Sequence, residues 1–153
     1  MTRLTSEVLR ALEGKTLATA ESCTGGGIGA AITAIPGSSK VYKGGVVSYT
    51  NEVKAQLLGV DREVLDEFGA VSAQTAKAMA QGVRRLLNTD VAVSVTGLAG
   101  PDGDDGGNPV GTVYIGYSDI CNEYAKVFCF LGNREEVRTQ AVRAALEIIL
   151  AAQ

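Results

Sequence analysis

Histidine is missing from all 153 residues. Its absence removes the Ser-His-Asp triad, the Cys-His dyad, the H-E-x-x-H metalloprotease site and every histidine-bearing zinc site. A nucleophile in this chain would have to hand its proton to Lys, Asp, Glu or Tyr. Tryptophan is missing too, and the three cysteines, Cys23, Cys121 and Cys129, form no C-x-x-C pair. Three cannot complete a four-cysteine zinc site, and so sparse a set reads as the reduced thiols of a cytoplasmic protein. No apolar run approaches ~18 residues, so no membrane span is expected. The opening Met1-Thr2-Arg3-Leu4 lacks the apolar core of a signal peptide. Positive charge is in short supply: 14 Lys and Arg against 17 Asp and Glu give a net charge of −3, which argues against a non-specific nucleic-acid binder.

Glycine, in contrast, is plentiful. Nineteen residues stand well above the usual ~7% and suggest loops that approach something closely. Apolar residues at 46% and charged residues at 20% are those of a globular domain, and 153 residues suit one domain, 1–153, with a real core. Periodicity predicts a helix around Leu4, Val8, Ala11 and Leu12, a strand over 16–20 and a helix through Ile28, Ala31 and Ile32. A second strand is predicted over 46–50, then a helix capped by Asn51 and another from Asp61 to Phe68. Ser72 should cap a longer helix carrying Ala76, Met79, Ala80, Val83, Leu86 and Leu87 on one face. The apolar run 90–95 reads as a strand buried on both faces. The segments 110–117 and 123–131 form a hairpin, and 134–150 a closing helix. Strands separated by helices imply an α/β fold with helices on both faces of a mostly parallel sheet, the late hairpin adding an antiparallel member.

Several groups could carry chemistry. Gly25, Gly27 and Ala30 match the dinucleotide fingerprint G-x-G-x-x-A, although four residues separate the strand from the first glycine. More generally, amides at a helix N-terminus beside the hydroxyls of Ser22 and Thr24 could bind an anion, or could simply be a capped helix packed close to the sheet. Lys54 follows a strand end, where open α/β sheets bind ligands. Buried, it could act as a base after a drop from ~10.4 to about 7; in water it is an ordinary surface lysine. Cys23 could be a thiol nucleophile helped by Glu21 and Lys54, or a small buried hydrophobe. Asp102, Asp104 and Asp105 could face a cation, but their spacing misses the calcium-loop pattern.

The ordered motifs Glu21-Ser22-Cys23-Thr24-Gly25-Gly26, Pro36-Gly37-Ser38-Ser39, Ser48-Tyr49-Thr50-Asn51-Glu52-Val53-Lys54, Gly69-Ala70-Val71-Ser72, Thr96-Gly97-Leu98-Ala99-Gly100-Pro101 and Pro109-Val110-Gly111-Thr112 resemble the CinA C-terminal domain family. The resemblance runs from about residue 4 to 150. It implies a three-layer α/β/α sandwich around a mixed, mostly parallel sheet. It also implies the activity of the family's stand-alone members, hydrolysis of nicotinamide mononucleotide to nicotinate mononucleotide and ammonia by a Ser/Lys dyad. By this resemblance Ser22 is the nucleophile, with Ser39 the alternative, and Lys54 is the base. Tyr49 and Ser39 complete a hydrogen-bond relay. Thr24, Gly25, Gly26, Thr96 and Gly97 contact substrate, the Gly25 to Gly27 amides holding phosphate or oxyanion, and Arg134 pairs with phosphate. No cofactor or metal is implied, the partner is a small nucleotide, and a homo-oligomer is expected. A non-catalytic nucleotide-binding module with the same loops is the alternative. The family's two-domain relatives carry a pyrophosphatase-associated N-terminal domain, and that activity is not expected of these motifs. The family often reads T-Y-S-N-E-A-K where this chain has Ser48 to Lys54, and G-D-R where Asn133 precedes Arg134; neither difference removes a proposed catalytic group.

Overall fold

The computed structural model describes residues 1–153. Its elements run α1 (Thr2–Ala11), β1 (Leu17–Glu21), α2 (Gly27–Thr33), β2 (Tyr42–Val47), α3 (Asn51–Leu58), α4 (Arg62–Phe68), α5 (Ala73–Leu87), β3 (Val91–Gly97), β4 (Thr112–Ser118), β5 (Glu123–Cys129) and α6 (Arg134–Ala151), with a short 3₁₀ turn, Ser38–Lys40, before β2. The five strands lie in the order β2-β1-β3-β4-β5. β1 pairs parallel with β2 and with β3, while β4 runs antiparallel to both its neighbours. Four of the five strands therefore point the same way, which is the mixed, mostly parallel sheet expected.

Alternation along the strands sends successive side chains to opposite faces. Leu17, Val91, Val93, Val95, Val113, Ile115 and Tyr117 join Val8 and Leu12 of α1, Ile28 and Ile32 of α2 and the inner side of α6 in one core. Ala18, Ala20 and Ala92 face the other way, against Leu58 of α3, Leu65 of α4 and Met79 and Val83 of α5. Small strand residues on that face let α5 lie close, and Ser94 Oγ donates to the Ala76 carbonyl at 2.5 Å. The result is an α/β/α sandwich with α1, α2 and α6 on one side and α3, α4 and α5 on the other.

Two local expectations need correction. β2 begins four residues earlier than predicted and ends at Val47, leaving 48–50 as a loop. It is an edge strand half in water, and Gly44 and Gly45 dilute its apolar signal; at Gly45 an added Cβ would strike Thr19 and Tyr42. The cap of α3 is Thr50, not Asn51: Thr50 is extended and its side chain accepts from the Val53 amide. Ser72 caps α5 as expected, accepting from Thr75.

Candidate active site

The chain leaves β1 for β2 on one side, then returns past β1 to β3 on the other. That reversal opens a crevice at the carboxyl ends of β1 and β3, the place where open α/β sheets bind ligands. The crevice is a cleft of about 710 Å³ lined by Ser22, Cys23, Tyr49, Lys54, Thr96, Gly97 and Arg134 among others, a size suited to a small molecule.

Lys54 projects from the second turn of α3 into this cleft and is only 1% exposed. Its Nζ donates to Ser22 Oγ at 3.1 Å and to the Ser48 carbonyl at 2.8 Å. No carboxylate pairs with it; the two salt bridges of the molecule, Arg3–Glu7 and Arg143–Glu147, are on helix surfaces. Burial without a counter-charge disfavours the ammonium, and the pKa falls from 10.5 to about 8. This stops short of the value near 7 that sequence reasoning required. An amine so placed can take a proton from the hydroxyl it touches.

Ser22 follows the last residue of β1, and its amide still bonds the Val95 carbonyl of β3. Sheet hydrogen bonding therefore fixes the backbone that carries the hydroxyl. The Ser48 carbonyl that orients Lys54 is anchored as well, because the Ser48 amide donates to the Glu21 carbonyl at 2.7 Å. Sequence reasoning gave Ser48 no role; a backbone acceptor leaves no mark in residue type.

The glycine loop differs from expectation. The Glu21 carboxylate, 2% exposed, sits at the start of α2. It accepts from Thr24 Oγ1 at 2.6 Å and from the amides of Gly26, Ile28 and Gly29 at 3.2, 2.9 and 3.0 Å. Gly25 donates to the Ser22 carbonyl and Gly27 to that of Thr24. The amides of Gly25, Gly26 and Gly27 and the hydroxyl of Thr24 are thus all engaged by the chain itself, and none of these four residues lines the cleft. The helix start does bind an anion, but that anion is Glu21. The same internal carboxylate fills the place a dinucleotide pyrophosphate would need.

Ser39 is a second correction. It is exposed in the turn before β2, at the amino end of a strand whose carboxyl end leads to Lys54. Six extended residues put about 20 Å between those ends, so Ser39 neither relays a proton nor competes as nucleophile. Tyr49 does line the cleft, 58% exposed, yet its hydroxyl accepts from Arg134 Nη2 at 3.1 Å and bonds neither Ser22 nor Lys54. Lys54 touches Ser22 directly and its other acceptor is the Ser48 carbonyl, so no hydroxyl stands between base and serine. Arg134 also donates from Nη1 to the Gly100 carbonyl at 2.7 Å. Both of its acceptors are neutral, so its charge is uncompensated. Thr96 donates to the Ala70 carbonyl at 2.7 Å, with Gly97 beside it on the cleft wall.

Cys23 borders Ser22, but burial pushes its thiol up to about 11, against weaker lowering by its own amide, Arg138 and Lys54. A reactive thiol needs the opposite shift. Arg138 of α6, unnoticed in the sequence, donates to the carbonyls of Cys23 and Thr24 at 3.0 and 3.2 Å and pins the turn behind the serine. Asp104 accepts from Gly106, Asn108 and the Asn108 side chain and so shapes its own loop at the rim.

A family model, the CinA C-terminal domain, matches residues 1–152. A CinA-like protein of Endomicrobium trichonymphae is 52% identical over 135 residues, 88% of this chain and 32% of the relative. The chain spans about a third of the length of the curated relatives it matches. Among solved structures, the competence damage-inducible protein A of Klebsiella pneumoniae superposes with TM-score 0.96 at 39% identity, covering 98% of this chain and 94% of that one. A competence-damaged protein (CinA) superfamily protein of Escherichia coli gives 0.97 at 36% identity, covering 99% and 90%.

Proposed function

The chain belongs to the CinA C-terminal domain family, and we propose that it is a serine amidohydrolase that converts nicotinamide mononucleotide to nicotinate mononucleotide and ammonia in pyridine-nucleotide recycling. One observation carries this reading: a buried lysine without a counter-ion, its amine 3.1 Å from a serine hydroxyl in a cleft.

Neutral Lys54 accepts the Ser22 proton as Ser22 Oγ attacks the carboxamide carbon. The lysine then delivers that proton to the departing nitrogen, ammonia leaves, and a water activated by the same amine hydrolyses the acyl-serine. With a pKa of about 8, roughly a tenth of the lysine is neutral at pH 7. A pyridinium ring in the cleft raises that fraction, since a nearby cation disfavours a second one. Arg134 exchanges its two neutral acceptors for a phosphate, a charged and stronger partner that the guanidinium fork fits. Tyr49 and Thr96 line the path between phosphate and carboxamide.

A cytoplasmic location, a single functional domain over 1–153 and self-association belong to the same reading. No helix is long and apolar enough to cross a membrane. Ammonia release from nicotinamide mononucleotide tests the proposal: wild type should turn over and Lys54→Ala should not. Nucleotide binding without ammonia release would replace the enzyme by a binding module.

A further inference from the structure

The Gly25 to Gly27 amides are engaged, so an oxyanion formed at Ser22 must be held by other donors. The hydrogen-bond ladder identifies them. β3 lies between β1 and β4, and backbone groups along a strand turn alternately to the two neighbours. Leu98 donates to the Thr112 carbonyl on the β4 side, whereas the Val95 carbonyl accepts from Ser22 on the β1 side. Gly97, two residues beyond Val95, therefore presents its N–H toward β1. With Glu21 in register with Val95, a continued parallel ladder would give it the Ser22 carbonyl. That rung is not made: the chain turns at Ser22, and the carbonyl accepts from Gly25 instead. The Cys23 amide, next after the serine, bonds no carbonyl or side-chain oxygen, although Cys23 is only 5% exposed. Unpaired buried amides are rare in folded proteins. The Cys23 amide has only its own thiol for company, the half-buried Gly97 amide has no acceptor, and Ser22, Cys23 and Gly97 all line the cleft. Gly97 can offer only backbone, because an added Cβ would run into the Thr112 carbonyl and Val113.

We propose that the N–H groups of Cys23 and Gly97 form the oxyanion hole of this site. The inference rests on the amidohydrolase reading and deepens it. When the Oγ–C bond forms, the carboxamide π pair moves to oxygen, and the new charge lies between these two donors. It returns to re-form the carbonyl as the C–N bond breaks. Donors already in place cost no reorganisation during reaction.

Backbone esters test this: glycolic acid placed at Gly97, measured against wild type, and lactic acid placed at Cys23, measured against Cys23→Ala. Each ester should lower kcat on nicotinamide mononucleotide by about 10²–10³-fold with KM within about threefold, since ground-state binding is untouched. Thermal unfolding of the Gly97 ester should match wild type, because the deleted N–H bonds nothing. A kcat within about threefold of the reference for both esters overturns the hole. A second readout separates it from the parent reading. Pyridine-3-boronic acid forms a tetrahedral, anionic adduct with an active serine, detectable by boron NMR. Adduct affinity that falls in the esters supports the hole even if wild type releases no ammonia, an outcome that would sink the amidohydrolase reading alone. Equal affinity in wild type and esters, or no adduct at all, overturns the hole.

Discussion

The Lys54 amine reaches the Ser22 hydroxyl across 32 residues of sequence, at 3.1 Å, with no acidic group to neutralise it. Most buried lysines are stabilised by a carboxylate; this one has a hydroxyl and a carbonyl. Its electrostatic penalty and its basicity are one property, and the first predictions separate the two.

Lys54→Met should lose at least about 10³-fold in kcat and gain stability. Holding a lysine near 8 instead of 10.5 costs up to roughly 3 kcal/mol at 1.36 kcal/mol per pH unit, and lost hydrogen bonds to Ser22 and Ser48 offset part of the gain. A net increase of about 1–3 kcal/mol in urea unfolding at pH 7 is expected. Below about pH 8 folded and unfolded lysine are both protonated and the penalty is complete. Between about 8 and 10.5 the unfolded chain holds more protons, so wild-type stability rises with pH and the advantage of the variant shrinks. A variant less stable than wild type at pH 7 would contradict the lysine's assigned environment.

Ser22→Ala and Ser39→Ala should diverge completely. Rapid quench and mass spectrometry should trap an acyl adduct on Ser22 in wild type and in Ser39→Ala, and none in Ser22→Ala. Loss of the adduct in Ser39→Ala would restore the serine that the fold places at the far end of β2.

Much of this arrangement was legible in the sequence. Helical and strand periodicity gave the layers, and the absence of histidine demanded a base of another kind; Lys54 past a strand end was one candidate beside an ordinary surface lysine, and the family resemblance singled it out. The glycine loop misled because residue types there suit an external anion as well as an internal one. Only the fold shows the Glu21 carboxylate turned onto α2. Ser39 misled for a related reason: a motif preserves order along the chain and says nothing of which end of a strand its members occupy. The Ser48 carbonyl and the amides of Cys23 and Gly97 are backbone groups, which leave no mark in residue type and become visible only through the hydrogen bonds the fold makes or omits.

Glu21→Ala should destabilise the protein by at least ~3 kcal/mol, because four donors lose their acceptor and each unmet buried group costs about 1–3 kcal/mol before water enters. Glu21→Gln keeps one acceptor oxygen and should fall between. Denaturant midpoints measure both. An Ala variant as stable as wild type would mean that the helix start is open to outside anions after all.

The cysteines should sort by exposure. At pH 8 iodoacetamide should modify the exposed Cys121 and Cys129 within minutes and leave Cys23 untouched, since its thiol titrates at about 11. Peptide mass mapping reads this directly. Ammonia release should survive modification of the two exposed thiols; rapid labelling of Cys23 with matching loss of activity would revive a thiol mechanism.

The kcat/KM for nicotinamide mononucleotide should rise with pH through an inflection near 8, because the free enzyme's deprotonated lysine is the active form. A profile falling with pH from 7 to 9 would assign Lys54 an acid's role in the first step.

The most direct measurement is a nitrogen-15 NMR titration of the Lys54 side chain, identified by its loss in Lys54→Met. A midpoint near 8 is expected, and it should move lower when the pyridinium nucleotide is added. A midpoint at 10 or above, unmoved by the nucleotide, would describe a permanently charged lysine and contradict its use as the base for Ser22.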